Sequence, residues 1–255
     1  MELSIVIIVC KEDPTGTETT LRSIIGVGGE ILLYDTSGGS FSATAAVQYG
    51  ARYHKGSWEG FDQVRYNAAL AAQYDWILML HTGEVLDEKL KRSLQGFDRD
   101  DPKKVYKIRF RNLFRDRWLR HGEWGGYSII RLACRTGFKV FDGKVNEKIF
   151  LQSGIVVKRL PGNILHSPIS DQAGMEKKMM RDALCAAAKY HRQGRKAGVA
   201  RLLVSPIAAF VKGYFIKLGL LDGREGYICA KLGAWYTFMK YDRLRQLNRL
   251  TRKQP

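Results

Sequence analysis

The chain has 255 residues, of which 45% are hydrophobic and 26% charged; this is ordinary globular composition and excludes a disordered or collagen-like protein. Its four scattered cysteines have no Cys-x-x-Cys spacing, so we predict reduced thiols that fill the core, with neither a zinc site nor a disulfide framework. The net charge of +17 is uneven: residues 1–100 hold 9 Lys and Arg against 14 Asp and Glu, and residues 101–255 hold the other 33 against 11, a net of +22.

The first fifty residues alternate strand and helix patterns. Leu3–Cys10 is an apolar run typical of a buried strand, Thr15–Ile25 is an amphipathic helix, and Glu30–Tyr34 is a second strand. Such a βαβ unit requires a right-handed crossover and indicates a doubly wound sheet. Asp35–Ser40 is then a polar, Gly-rich turn, followed by a helix over Ser42–Tyr49. The turn could receive a nucleotide, but turns of this composition are common in any α/β protein.

A later strand ends in a polar turn that we expect at the ligand-binding edge of the sheet. Trp58–Gln73 is predicted to be a helix, and Trp76–Leu80 a strand buried on both faces in the middle of a parallel sheet. In open α/β sheets, ligands bind in the crevice outside the carboxyl ends of the strands. His81–Glu84 follows directly and is predicted to lie there.

The rest of the chain changes from strands to helices. The apolar stretch Leu202–Val211 is interrupted by Ser205 and Pro206 and falls short of the roughly 20 residues of a membrane span. The first ten residues lack the basic region of a signal peptide. We therefore expect an intracellular protein that is not integral to a membrane. The predicted elements are strands over Tyr106–Arg111 and Leu160–His166, and helices beginning near Asp87 and over Met175–Gln193, Val199–Gly219 and Tyr227–Leu250.

Several segments together resemble the inverting family 2 glycosyltransferases, in particular the lipopolysaccharide core β-1,4-glucosyltransferase branch. The resemblance covers almost the whole chain and implies an α/β nucleotide-sugar transferase (Rossmann-like) domain with a mixed, mainly parallel sheet. That domain would occupy residues 1–172, with a donor half at 1–100 and an acceptor half at 101–172, and a basic helical C-terminal region would occupy 173–255. The segments are Trp58–Phe61 with Arg65 and Ala68, Asp75–Leu80 with Glu84, Gly219–Gly226 and Phe238–Tyr241.

The resemblance also assigns a nucleotide-sugar site, such as one for a UDP-sugar donor. Its residues here are Glu12, Asp35, Arg65 and His81. Arg65 suits a diphosphate because its planar guanidinium pairs with phosphate oxygens. The alternatives are that Arg65 is a solvated helix-face residue and that Asp35 only caps its turn.

Catalytic and acceptor roles fall on later residues. The resemblance makes Glu84 and Glu147 the catalytic carboxylates. Trp118–Trp124, Arg131-Leu132 and Leu160–His166 resemble the family's acceptor segments, which implies acceptor contacts for His121, Trp124, Arg131 and His166. Aromatic platforms beside polar groups suit sugar rings, but tryptophans near glycines are also ordinary core material, and a lone histidine at a strand end is commonly structural.

The chain departs from the family at the metal site. Members hold a divalent cation with an Asp-Ala-Asp-Glu run, whereas this chain reads His81-Thr82-Gly83-Glu84. An imidazole and a hydroxyl are poor replacements for two carboxylates on a hard cation, so we predict no metal ligands and little effect of manganese or magnesium. The replaced ligand-facing positions are Ser40, Val64, Tyr66, His81, Gly83 and Asn146.

Two functions are open from the sequence. The first is a metal-independent glycosyltransferase that uses a nucleotide-sugar and a lipid-linked or polysaccharide acceptor in bacterial surface-glycan synthesis. The second is a catalytically inactive relative that binds a glycan, a lipid or a partner protein. We expect no nucleic-acid partner, because no helix-turn-helix, zinc-finger or RNA-binding signature accompanies the charge.

The basic half predicts peripheral binding to an anionic membrane surface. Basic residues after Val199 alternate with aromatic and aliphatic ones, as in helices that lie on a bilayer. A charged, solvated face over a domain core would explain the apolar positions equally well. With a lipid-linked acceptor, the expected location is the inner face of the cytoplasmic membrane.

Overall fold

The chain forms an α/β region and a helical region, in a computed structural model that describes residues 2–115, 117–135, 154–166 and 172–252. The sheet contains both parallel and antiparallel pairs and is flanked by helices, and long helices follow it. This confirms the predicted α/β class with a mixed sheet and a helical C-terminal region.

Contacts divide the chain into two compact units. The first unit comprises Met1–Phe110 and Tyr127–His166, and the second comprises Arg111–Gly126 and Ser167–Pro255. The predicted boundary between residues 172 and 173 differs from this division, because it assigns 111–126 to the α/β region. The two predicted domains, as separate folding units, stay a prediction.

Four parallel strands form one half of the sheet in the first unit. They are β1 (Ser4–Val9), β2 (Glu30–Asp35), β3 (Arg52–Lys55) and β4 (Trp76–His81), in the order β3-β2-β1-β4. The chain steps outwards from β1 to β3 and then returns to the other side of β1 for β4. The strand order therefore reverses between β1 and β4, and open α/β sheets bind ligands at such a switch point.

Three helices connect these strands: α1 (Pro14–Ile24), α2 (Phe41–Gln48) and α3 (Phe61–Ala71). Asp13 starts α1, because its carboxylate accepts a hydrogen bond from the Gly16 N–H at 3.0 Å. The predicted helix Trp58–Gln73 begins three residues late, because Gly60 before it has a φ of +96°.

The other half of the sheet is antiparallel where it meets β4. Its strands and helix are β5 (Glu84–Leu86), α4 (Glu88–Gln95), β6 (Lys104–Phe114), β7 (Arg117–Trp118), β8 (Ser128–Cys134) and β9 (Val156–His166). From β4 the order continues β8-β6-β9-β5, and β7 pairs with β6. Because β4 is antiparallel to β8, the expectation that Trp76–Leu80 lies in the middle of a parallel sheet is wrong on that side. The apolar run reports burial on both faces but not strand direction.

The core lies on both faces of the parallel strands. Ile5 and Ile7 of β1 pack into one cluster, and Val6 and Ile8 pack into the other; all four side chains are buried. Alternate residues of a strand point to opposite faces, so a continuous apolar run is the pattern that a doubly covered strand requires.

Three helices dominate the second unit: α5 (Gln172–Arg192), α6 (Val199–Val211) and α7 (Gly223–Arg252). Helices α5 and α7 match the predicted Met175–Gln193 and Tyr227–Leu250 within about four residues. Helix α6 ends earlier than the predicted Val199–Gly219. Helix α6 continues across Pro206 and through a π-helical turn at Lys212–Ile216. Among the described residues, Val199–Ile216 is a single helical segment that is long and apolar enough to cross a membrane by length and composition, longer than the apolar stretch Leu202–Val211.

The cysteines are free thiols in different environments. Cys134 and Cys229 are buried, Cys10 is half-buried and Cys185 is exposed. The prediction that all of them fill the core is therefore wrong for Cys185. Ala183 of α5 is buried, and Cys185 lies two residues further along the helix. Residues two apart on a helix lie on different faces, so the Cys185 side chain points away from the core.

Candidate functional site

The carboxyl ends of β1, β2 and β4 carry most of the residues predicted to hold the donor. Glu12 follows β1, Asp35 ends β2, and His81 ends β4. In parallel strands these ends share one edge of the sheet, and the switch point lies between β1 and β4. The sheet topology thus brings to one edge residues as far apart in sequence as Glu12 and His81.

Asp35 is buried and organises the Gly-rich turn. Its Oδ1 accepts hydrogen bonds from the Ser37 N–H at 2.7 Å and the Ser37 hydroxyl at 2.6 Å. Its Oδ2 lies 3.4 Å from the Tyr53 hydroxyl. The bonds to Ser37 form the turn-capping arrangement given above as the alternative, whereas Oδ2 keeps capacity to accept further hydrogen bonds.

Glu12 caps helix α2 from a neighbouring loop. Ser40 precedes α2 but its side chain makes no capping hydrogen bond, and Glu12 Oε1 instead accepts from the Phe41 N–H at 3.2 Å. The Glu12 carboxylate lies so close to Gly39 that a Cβ there would be 2.4 Å from its Cδ. A glycine at position 39 therefore lets this loop approach the helix N-terminus, where negative charge is stabilised.

The turn after β4 buries an ion pair. Glu84 Oε1 accepts from Arg131 Nη2 at 2.7 Å, and Glu84 Oε2 accepts from the His81 N–H at 2.9 Å. Both charged side chains are buried, and the Arg131 guanidinium lies over the Phe110 ring at 5.0 Å. One predicted catalytic residue is thus bonded to one predicted acceptor residue. The Gly83 φ of +81° allows the reversal that points Glu84 back into the protein.

Cationic side chains surround this turn. Burial, with the charges of Arg131, Arg65 and His166, holds the pKa of His81 well below its usual range. Burial raises the pKa of Glu84 against the opposing effect of Arg131. Burial also raises the pKa of Cys10, against the opposing effects of a hydrogen bond with Thr36 and of the Arg65 charge. Arg65, which is half-buried on α3, therefore acts on Cys10 after β1 and on His81 of β4, on both sides of the switch point. The positive electrostatic potential there favours binding of an anion.

These residues do not fit the divalent metal that the family resemblance implies. His81 and Gly83 replace two carboxylates, and both oxygens of Glu84 are already hydrogen-bonded. Within the described ranges, no group of three or more His, Cys, Asp and Glu side chains is arranged to hold a metal ion. A hard cation prefers several carboxylate and carbonyl oxygens, which this turn does not offer.

The four predicted acceptor residues are divided between the units. Arg131 and His166 belong to the first unit, where His166 lies opposite Glu84 in the β5–β9 pairing. His121 and Trp124 belong to the second unit. The predicted catalytic Glu147, like Asn146, lies outside the described residues.

His121 is fixed by a buried aspartate that the sequence analysis did not select. Asp222 Oδ2 accepts from the N–H groups of Arg120 and His121 at 2.9 and 2.7 Å, and Asp222 Oδ1 lies 3.1 Å from His121 Nδ1. The sequence does carry a signal for it, because Asp222 is the single aspartate of Gly219–Gly226, one of the segments that resemble the family.

Comparison with known proteins gives fold-level likenesses of limited extent. No protein-family profile matches the chain. The structure of glucosyl-3-phosphoglycerate synthase from Mycobacterium tuberculosis with Mn2+, UDP and glucosyl-3-phosphoglycerate is 13% identical over 44% of this chain and 44% of that chain, with a TM-score of 0.35. The structure of GalNAc-T7 with UDP, GalNAc and Mn2+ is 13% identical over 67% of this chain and 44% of that chain, with a TM-score of 0.48. The matched region spans less than half the length of either protein, and likenesses of this extent establish neither a family nor an activity.

Proposed function

We propose that the protein is a family 2-type glycosyltransferase that moves a sugar from a nucleotide-sugar to a bacterial surface glycan. The observation that carries the proposal is the grouping of Glu12, Asp35, Arg65 and His81 around the switch point of four parallel strands. Asp35 Oδ2 can accept hydrogen bonds from a ribose or base, and the Arg65 guanidinium can pair with the oxygens of a diphosphate. The donor is a UDP-sugar or another nucleotide-sugar.

The leaving diphosphate needs a countercharge, which Arg65 supplies in this proposal without a metal. Arg65, Arg131 and His166 already impose a positive field on the turn after β4. A preorganised cation next to the developing charge stabilises the transition state without reorganisation. For Glu84 to act as general base, its carboxylate has to exchange the Arg131 guanidinium for the acceptor hydroxyl.

Calorimetry with UDP tests the donor site directly. We expect UDP to bind, and manganese to raise its affinity by less than about tenfold, because the turn lacks paired carboxylates. Asp35→Ala should weaken binding by about tenfold to a hundredfold, since a hydrogen bond to a charged group contributes about 1.5–3 kcal/mol. Asp100→Ala, at an exposed position, is the matched control. Undiminished UDP binding by a folded Asp35→Ala protein would refute the donor role of Asp35.

An inactive, binding-only protein is the second candidate, and one observation favours it. Val64 stands where the resemblance puts a ligand-facing residue, yet its side chain is fully buried in the core beside Ile77 and Met79. Position 64 therefore packs and does not bind. Release of free sugar or transfer product from UDP-sugars by the intact protein would exclude the inactive alternative, whereas UDP binding without any turnover would support it.

We further propose that the protein binds peripherally to the inner face of the cytoplasmic membrane, where a lipid-linked acceptor would be found. The support is the α6 surface, on which Leu203, Val204 and Ile207 are more than half exposed. Arg201 and Lys212 flank this apolar surface. An apolar stripe with flanking cations is typical of helices that lie in a membrane interface.

A further inference from the structure

A pocket in the second unit concentrates positive charge. Its volume is about 440 Å³, enough for a phosphate group with its substituent. The segment that forms most of it runs from the end of β6 through β7 to His121. The lining residues are Arg111, Arg117, Trp118, Arg120, His121, Leu221 and Asp222.

The charge of this pocket is not balanced by its lining. Asp222 is the one carboxylate among the described lining residues, and its oxygens are taken by two backbone N–H groups and the His121 ring. Glu225 pairs with Arg117 at 3.4 Å. Among the described residues, no carboxylate forms an ion pair with Arg111 or Arg120. In the described part of the chain, the pocket thus presents two guanidinium groups that have no carboxylate partner.

Contacts within the unit position the Arg111 side chain and the backbone at Arg120. The Arg111 guanidinium lies over the Trp118 ring at 5.4 Å, and β7 pairs with β6 to fix Trp118 opposite Leu113. The buried carboxylate of Asp222 fixes the backbone at Arg120. A planar, preorganised guanidinium matches two phosphate oxygens at once, which a flexible ammonium does not.

Apolar surface adjoins the pocket. Leu221 lines it and is 54% exposed. The Gly122 N–H, one residue beyond His121, donates to the Lys217 carbonyl at 2.8 Å, at the end of the apolar helical segment. Ile216 in that segment is 72% exposed. A ligand seated in the pocket would therefore have its charged group among arginines and apolar surface beside it.

We propose that this pocket binds the phosphate group of a membrane lipid. A phosphate satisfies the two guanidinium groups, and the acyl or prenyl chain of the same molecule accounts for the exposed Leu221 and Ile216. The inference rests on the proposed membrane association and is independent of donor binding, so loss of UDP binding leaves it intact. It deepens the proposed function by identifying the chemical group through which a lipid-linked acceptor would be held.

The test compares phosphate and carboxylate lipids at equal surface charge. The full chain is sedimented with phosphatidylcholine vesicles that contain phosphatidic acid, or enough oleate to give the same electrophoretic mobility. Arg111→Gln/Arg120→Gln removes two pocket charges, and Arg192→Gln/Lys196→Gln removes two exposed charges elsewhere in the same unit. Calorimetry with dihexanoyl phosphatidic acid and with inorganic phosphate measures the pocket without a membrane, and thermal melts check folding.

We expect wild type to prefer the phosphatidic acid vesicles, and the pocket variant to lose about tenfold or more of that binding while the control variant loses much less. Dihexanoyl phosphatidic acid should bind wild type more tightly than inorganic phosphate does, and the pocket variant should bind it at least about tenfold more weakly. Equal losses in both variants, or equal binding to oleate vesicles, would overturn the pocket as a phosphate site. Equal affinity for inorganic phosphate and the short-chain lipid would overturn the lipid as its source.

Discussion

Glu84 and Arg131 are the residue types that the family resemblance leads one to expect at these positions, but their side chains bind each other. The resemblance made one a catalytic carboxylate and the other an acceptor contact, and in the structure they form a buried ion pair at 2.7 Å. Sequence spacing could not reveal the pair, because Glu84 of β5 and Arg131 of β8 are far apart in the chain and are brought together only by the fold of the sheet. A buried ion pair is sensitive to loss of one partner, since the remaining charge stays desolvated.

Removal of one partner should therefore destabilise the protein more than removal of both. We expect Arg131→Met to lower the free energy of unfolding by about 3–5 kcal/mol, and Glu84→Gln/Arg131→Met to recover much of that loss. Urea denaturation of the two single variants and the double variant measures the coupling. Additive effects within about 0.5 kcal/mol would contradict a direct interaction.

His81 should make stability depend on pH. Its pKa in the folded protein lies below the unfolded value near 6.5, so between the two the unfolded chain binds a proton that the folded chain does not. Stability is then complete above about pH 6.5 and is lost as the pH falls, by up to about 1.4 kcal/mol per pH unit. His81→Asn should flatten the profile between pH 7.5 and 5.5. Parallel profiles for wild type and His81→Asn would contradict this.

At the scale of elements, alternating apolar runs and breaker residues predicted most strands and helices, because burial and turn chemistry are local properties. Contacts between distant elements were not predictable in this way. Asp87 caps α4 by accepting from the Leu90 N–H at 2.7 Å, and its other oxygen accepts from the Asn163 amide of β9 at 2.7 Å. Gly162 precedes Asn163, and nothing in the local sequence shows that α4 presses against it.

Gly162 should tolerate replacement poorly, because it lies against the start of α4. A Cβ there would lie 2.3 Å from the Leu90 nitrogen, and the φ of +106° already disfavours other residues. Gly162→Ala should cost on the order of 3 kcal/mol through overpacking and strain. Gly154→Ala is the matched control, because its φ is +92° with open space around the new Cβ, and it should cost about 1 kcal/mol. Equal unfolding midpoints for the two variants would show that the α4 contact relaxes at no cost.

For the whole molecule, charge asymmetry was visible in the sequence, but the exposure of the apolar residues was not. Residues 101–255 carry a net charge of +22, and in the structure this basic part includes the exposed apolar side chains of α6. Apolar composition alone fits a core helix as well as a membrane-contacting one. A helical segment of 18 residues extends about 27 Å, close to the thickness of a bilayer core, so lying on a membrane and crossing one have to be separated by experiment.

We predict that the protein lies on the membrane. Binding to phosphatidylglycerol vesicles should be strong at low salt and fall steeply towards 1 M, where the Debye length shrinks to about 3 Å. Deletion of 240–255 would also remove Leu244, which is fully buried, so charge variants give the cleaner test. Arg243→Gln/Arg249→Gln on exposed positions of α7 should weaken binding, since each basic residue near the headgroups contributes about 1 kcal/mol. Lys89→Gln/Arg92→Gln on α4 is the control in the acidic half and should bind as wild type does. Protein that stays with cell membranes after washes in high salt and alkaline carbonate would instead have α6 spanning the bilayer.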